Sequence, residues 1–291
     1  MTGPLARFSF VVVAAFAIAA CSAESLSQDG NAAATTAIDA PILPAYVDEE
    51  SGIIALPADQ FFLSEAELDN LGPARDIAMF QCLQAAGLTP VDTPRRYIPD
   101  NDVSRMYGLW RMSDAEQYGY VIYEVPEKLA AIERNAQGSE ISDAEMAERH
   151  RCAKTPEVSR FDGGISPGVW LGELSVASQE VRDSPEWAAV ISDWAECLER
   201  VEVEVDIENL APVGVDSEAV QRGEVTENDV RLAIADVTCK NEVSFIKRLT
   251  NLEAAAQSPI IARHRDEMLA ERARLDALLV QAREVLAEAG L

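Results

Sequence analysis

The residues with the most distinctive chemistry are five cysteines: Cys21, Cys82, Cys152, Cys197 and Cys239. Cys21 stands apart near the start, and the other four are spread over the body of the chain. In an exported protein, an even set of four reads as two disulfides, for which three pairings exist. The neighbourhoods choose among them. AMFQCLQAAG around Cys82 is similar to DWAECLERVE around Cys197, with an aromatic residue just before and Cys-Leu near a helix end. AERHRCAKTPEVS around Cys152 is similar to AIADVTCKNEVS around Cys239, with a nearby Lys and a Glu-Val-Ser run. The chain thus reads as two divergent copies of one unit. Units that close on themselves pair Cys82 with Cys152 and Cys197 with Cys239. Zinc is a poor reading of the same residues, because there is no C-x-x-C and only two histidines exist.

Nucleophilic catalysis needs a base oriented by a third group. His150 and His264 lie in the runs ERHRC and ARHRDE, charged helical surroundings that predict exposed faces. No H-E-x-x-H, Walker A loop or dinucleotide fingerprint occurs, so no cofactor is expected. Fifty Asp and Glu residues offer carboxylate pairs for a glycosidase, but none is marked by spacing. Asp236 has Lys240 at i+4, which reads as a helical ion pair worth a few tenths of a kcal/mol; a functional acid is the alternative. Tyr107, Trp110 and Tyr120 are the candidate wall of a ligand groove, set against the plainer reading of core aromatics. The formal charge of −26 excludes the basic face that nucleic acid requires and disfavours lying flat on anionic lipid. No EF-hand-type loop accompanies the acids, and no metal site is expected.

The elements that must position these residues begin after a leader. Arg7 precedes the short apolar run Phe8–Ala20, too short for a span of about 20 residues. Ile18-Ala19-Ala20-Cys21 resembles a bacterial lipobox, which implies cleavage before Cys21 and acylation of its thiol and new N-terminus; an ordinary secretory leader is the alternative. The expected organisation is a leader over residues 1–20, then lipidated Cys21 and a flexible tether over 21–60. A mainly α, disulfide-stapled domain with a few short strands follows over 61–291. It holds units 64–160 and 184–257 and a C-terminal helix 259–289.

Within the domain, Ser64 opens a short helix that Gly72-Pro73 interrupts, and Ala74–Ala86 forms the next. The run YGYVIYEV suggests a strand, and Pro126–Asn135 a short helix. Ser142 opens a helix through Cys152, and Thr155–Gly168 is loop. Ser184-Pro185-Glu186 starts a helix whose apolar side carries Trp187, Val190, Ile191, Trp194 and Leu198. VEVEVDI, Val201–Ile207, alternates as a strand does, and Pro212–Gly223 is loop. Thr226–Leu252 reads as one long helix with apolar stripes on both sides. Beyond Ser258-Pro259, Ile261, Met268, Leu275 and Ala282 recur at heptad spacing. The simplest packing folds 260–288 back on 226–252 as a C-terminal helical hairpin. One longer helix kinked at Pro259 is the alternative.

The lipobox, the helix-borne Cys-Leu pairs and the run Ala233-Ile234-Ala235-Asp236-Val237-Thr238-Cys239-Lys240 resemble a group of actinobacterial exported lipoproteins of unknown function. The resemblance implies an exported protein held to the membrane by lipid, and no particular activity. The leading expectation is a non-catalytic envelope module that binds another envelope protein or cell-wall material. A solute-binding lipoprotein comes second and a two-carboxylate glycosidase third.

Overall fold

The computed structural model describes residues 43–90, 104–122, 141–164, 168–207 and 209–291. The leader with Cys21, the last residues of YGYVIYEV and the expected helix Pro126–Asn135 lie outside the described residues. The fold is mainly helical, with two small antiparallel sheets. In order come β1 (Tyr46–Asp48), β2 (Ile53–Ala55), a 3-10 turn (Asp59–Phe61), α1 (Glu65–Ala85), α2 (Met112–Tyr118), α3 (Asp143–Cys152) and α4 (Pro156–Ser159). Then follow α5 (Val169–Arg182), α6 (Pro185–Arg200), β3 (Val205–Asp206), β4 (Ala211–Pro212), α7 (Ser217–Gln221), α8 (Glu227–Glu242) and α9 (Phe245–Glu288). No described helix is long and apolar enough to cross a membrane.

Capping chemistry starts four of these helices where the sequence places it. The hydroxyls of Ser64, Ser142, Ser184 and Thr226 each accept the backbone N–H three residues on, satisfying a donor that the helix leaves open. At Ser64 the box is reciprocal, with Glu67 accepting the Ser64 N–H.

The organising element is α9, 44 residues long and kinked at His264 (φ −111°, ψ 16°). Three clusters of buried side chains are strung along it. Phe245, Ile246 and Leu249 pack with Trp194, Leu198 and the second disulfide. Ile260, Ile261 and Met268 pack with Phe61, Trp170 and Leu174. Leu278, Leu279 and Ala282 pack with Leu71, Leu83, Phe161 and Cys152. Each cystine joins two helices of one unit: Cys82–Cys152 links α1 to α3, and Cys197–Cys239 links α6 to α8. The sequence-derived pairing is therefore the pairing in the structure.

Several elements differ from the sequence reading. Thr226–Leu252 is not one helix: α8 ends at Glu242, and Ser244 takes a left-handed conformation (φ 54°, ψ 41°) before α9 begins. The hairpin therefore turns at Ser244, and 260–288 packs mainly on α1 and α5 rather than on 226–252. Pro259 is absorbed within α9, where the Ser258 hydroxyl donates to the Ala254 carbonyl; the non-helical residue is His264. Gly72-Pro73 does not interrupt α1 either. Gly72 has no Cβ to meet the proline ring, which removes much of the usual penalty on a helical residue before Pro.

The tether expected to run to residue 60 ends earlier. Residues 46–55 form the hairpin β1–β2, and Ile54, Leu56, Ala58 and Phe61 are buried. The Leu43 N–H donates to Ser258 Oγ and the Ala58 N–H to Gln257 Oε1, both 2.9 Å, so this segment is fastened to α9. Of VEVEVDI only Val205–Asp206 is strand, because Glu202 adopts φ 61° and turns the chain. The described part of YGYVIYEV closes α2 and a turn instead of a strand. Short helices α4 and α7 stand inside the two expected loops.

Candidate functional site

The helix α8 carries the A-x-A-D-x-x-C-K run and presents Asp236 and Lys240 one turn apart on one side. Both side chains are fully buried, with Lys240 Nζ 3.1 Å from Asp236 Oδ2. Trp194 Nε1 donates to Asp236 Oδ1 at 2.9 Å, and the Tyr120 hydroxyl donates to Oδ2 at 3.0 Å. Lys240 Nζ also donates to the carbonyls of Leu109 (2.7 Å) and Tyr107 (3.4 Å). The rings of Trp194 and Phe245 stand 5.5 Å from Nζ, at cation–π distance. Burial pushes the Asp236 carboxyl up and the Lys240 ammonium down, and each is opposed by the charge of the other.

Two glycines shape this cluster. Gly108 (φ 76°) lies between the two carbonyls that bind Lys240, and a Cβ there would stand 3.2 Å from Nζ. Gly119 (φ 58°) lets the turn after α2 approach the backbone of Asp229 and Val230, where a Cβ would meet atoms at 3.2 Å. Both positions combine a left-handed backbone with close approach, conditions that glycine meets without strain. The result is a clasp. One buried ion pair on α8 holds Tyr107–Leu109 and Tyr120, two stations on either side of α2. Every polar atom of the pair is partnered, and neither side chain reaches solvent.

The other buried carboxylates are similarly committed. Asp229 accepts from the Asp216 N–H (3.0 Å) and the Thr226 hydroxyl (2.7 Å). Glu145 accepts from Arg149, and Glu271 from Arg274. Two are exceptions: Asp114 Oδ2 has no hydrogen-bond partner among the described residues, with Arg105 and Arg111 standing 3.9 and 3.8 Å from its carboxylate, and Glu253 is the second. Its Oε2 accepts from Ser178 at 3.3 Å, while its Oε1 lies 3.8 Å from Arg182 and has no hydrogen-bond partner among the described residues. The Tyr107 hydroxyl is also buried and unpartnered there. Burial and the Glu253 carboxylate push the Tyr107 hydroxyl up, and burial pushes Glu253 up. Among the described residues no group of His, Cys, Asp and Glu is placed to hold a metal ion.

The sequence-predicted ligand wall does not form as one surface. Tyr107 borders a groove of about 810 Å³ with Trp187, Ile191, Leu210 and Arg182, its ring 6.0 Å from Trp187. Trp110 is core, with Nε1 donating to the Ser104 carbonyl at 2.7 Å, and Tyr120 is spent on Asp236. His150 is exposed as expected. His264 is not: its side chain is 14 % exposed, and Nε2 lies 3.2 Å from Glu173 of α5. The expectation of two exposed histidines fails at the α9 kink, which turns His264 toward α5.

The sequence reading missed a second groove, about 880 Å³, between α5 and α9. Its signal was present in Val169, Gly172 and Val176, spaced i, i+3, i+7 on α5 and all lining it; Trp170 and Leu174, on the neighbouring stripe, are core. Fold and site together define a mainly helical, doubly disulfide-linked module with locked interior charges and open surface grooves. No family model, no curated protein and no solved structure matches the chain.

Proposed function

We propose that the protein is an exported lipoprotein, anchored through acylated Cys21, whose folded part is a non-catalytic binding or accessory module of the cell envelope. The observation that carries this reading is the contrast between interior and surface. The buried Asp236–Lys240 pair is closed off and fully bonded, whereas the α5–α9 and Tyr107–Trp187 grooves are open, with extensive apolar walls. Paired cysteines suit an oxidising compartment, and the apolar leader ending at Cys21 supports the anchor. A two-carboxylate hydrolase gains no support, because most buried carboxylates are committed to partners inside the fold.

A solute-binding role is the second reading, favoured by the Tyr107–Trp187 groove. Its volume lies in the small-molecule range. Photo-crosslinking in intact cells tests the leading reading, with benzophenone side chains placed along both grooves, at Ile191 and Val176, and at exposed Val280 as control. Adducts with one envelope component from a groove position support it. Adducts at no position count against it, and a small molecule copurifying in the Tyr107–Trp187 groove would replace it with the second. Substituting Cys21→Ala is expected to release the protein from the membrane fraction.

A further inference from the structure

The α5–α9 groove has features that the described residues of its own chain do not explain. Val169 and Val176 are 72 % and 58 % exposed, although they border the groove together with Val181, Leu252, Ala256 and Ile260. Between them on α5, Gly172 faces open space: a Cβ there would meet nothing within 4 Å. Glycine inside a helix costs about 1 kcal/mol relative to alanine, and no contact with the described residues offsets that cost at Gly172. A second backbone approaching closely would, as small residues allow where helices pack tightly. The rim is acidic. Glu173, Glu180 and Glu186 border the groove. Glu173 is engaged by Arg263 and His264, but among the described residues Glu180 and Glu186 have no cationic partner.

We propose that this groove docks an amphipathic helix of a partner protein, its apolar face seated over Gly172 and Val176 and its Lys or Arg side chains set against Glu180 and Glu186. The inference rests on the binding-module reading and names the surface and the chemistry of its partner. Charge decides against two other occupants. A second copy of this chain carries the same net −26 and the same acidic rim. The segment 22–42 contains acids and neither Lys nor Arg. The α5 helix of 14 residues is about 21 Å long, enough to seat roughly four turns of a partner helix.

The test uses the full-length protein in detergent and a synthetic 18-residue Leu/Lys peptide with helical amphipathic spacing. A Leu/Glu peptide of the same pattern and a scrambled Leu/Lys peptide serve as controls. Benzophenone at Val176 is expected to crosslink the patterned Leu/Lys peptide, with benzophenone at Val280 giving little adduct. By fluorescence anisotropy, Glu180→Lys/Glu186→Lys should weaken binding at least tenfold and Gly172→Leu severalfold. Glu284→Lys/Glu288→Lys, with the same change in net charge, should change it less than twofold. Equal weakening by the two charge pairs would reduce the effect to general attraction by an acidic protein and overturn the proposal. So would binding of the scrambled peptide as tightly as the patterned one, or a Val176 adduct to the same chain or a second copy. If envelope adducts form in cells at Ile191 but not at Val176, the binding-module reading survives and this groove assignment falls. A Val176 adduct with the peptide, but none at any position in cells, leaves the groove chemistry standing and removes the envelope role.

Discussion

Removing Lys240 separates a buried clasp from an ordinary helical ion pair. In Lys240→Met the side-chain length and most of the apolar contact are kept. Three interactions of Nζ are lost, to Asp236 Oδ2 at 3.1 Å, Leu109 O at 2.7 Å and Tyr107 O at 3.4 Å. Asp236 remains fully buried with only the Trp194 and Tyr120 donors. Breaking a buried pair from one side costs about 3–5 kcal/mol, whereas an exposed i,i+4 pair is worth about 0.3–0.5 kcal/mol. For a domain of this size each kcal/mol moves Tm by about 2–4 °C, so the expected loss is about 6–20 °C. Calorimetry of the oxidised protein measures it, with urea unfolding as the second assay. Asp236→Asn should also be costly, since it strands Lys240. The double variant Asp236→Asn/Lys240→Met should be less damaging than the sum of the singles by more than about 1 kcal/mol, because no uncompensated charge remains. A loss under about 1 kcal/mol in Lys240→Met, or additive singles, would refute the clasp.

Four further outcomes follow from the same structure. Replacing both cysteines of either cystine by Ala should cost about 4 kcal/mol in the chain-entropy account, read as a lowered urea midpoint, and Cys82→Ala/Cys152→Ala should loosen α1 and α3 before α6 and α8 in hydrogen exchange. Gly108→Ala should destabilise by about 1–3 kcal/mol through its positive φ and the 3.2 Å approach to Lys240 Nζ, while Gly223→Ala, with nothing within 4 Å, should carry only the backbone part of that cost. Ser244→Gly should stabilise by about 0.5–1 kcal/mol by relieving the left-handed joint before α9, and Ser244→Val should destabilise, both measured by urea unfolding. Glu253 is raised above its ordinary 4.5 by burial. Its contribution is therefore full below that value and is lost as pH rises through the folded-state value. Glu253→Gln should be more stable than the native chain at pH 8, with the advantage shrinking toward pH 4.5; an advantage that does not change with pH would contradict the assignment.

Much of this protein is determined locally and is legible in the order of its residues. The caps at Ser64, Ser142, Ser184 and Thr226 depend on a side chain reaching an amide three residues away. The pairing of Cys82 with Cys152 and of Cys197 with Cys239 was legible in the similarity of their neighbourhoods, and the heptad run from Ile261 to Ala282 announced a buried stripe. What covers each stripe is a different kind of fact. Asp236 and Lys240 are neighbours by spacing alone, yet only the return of residues 104–122 over α8 turns a weak helical pair into a buried clasp. The apolar stripe of 260–288 does not say whether α8 or α1 and α5 will meet it; the left-handed turn at Ser244 and the packing of three clusters along α9 decide that. Pro259 and Pro73 read as helix ends because each removes an amide donor. Packing outweighs one missing hydrogen bond in a long, well-covered helix, and that balance is set by the tertiary fold. The grooves belong to the same class, since a concave surface exists only after helices distant in sequence have been laid side by side.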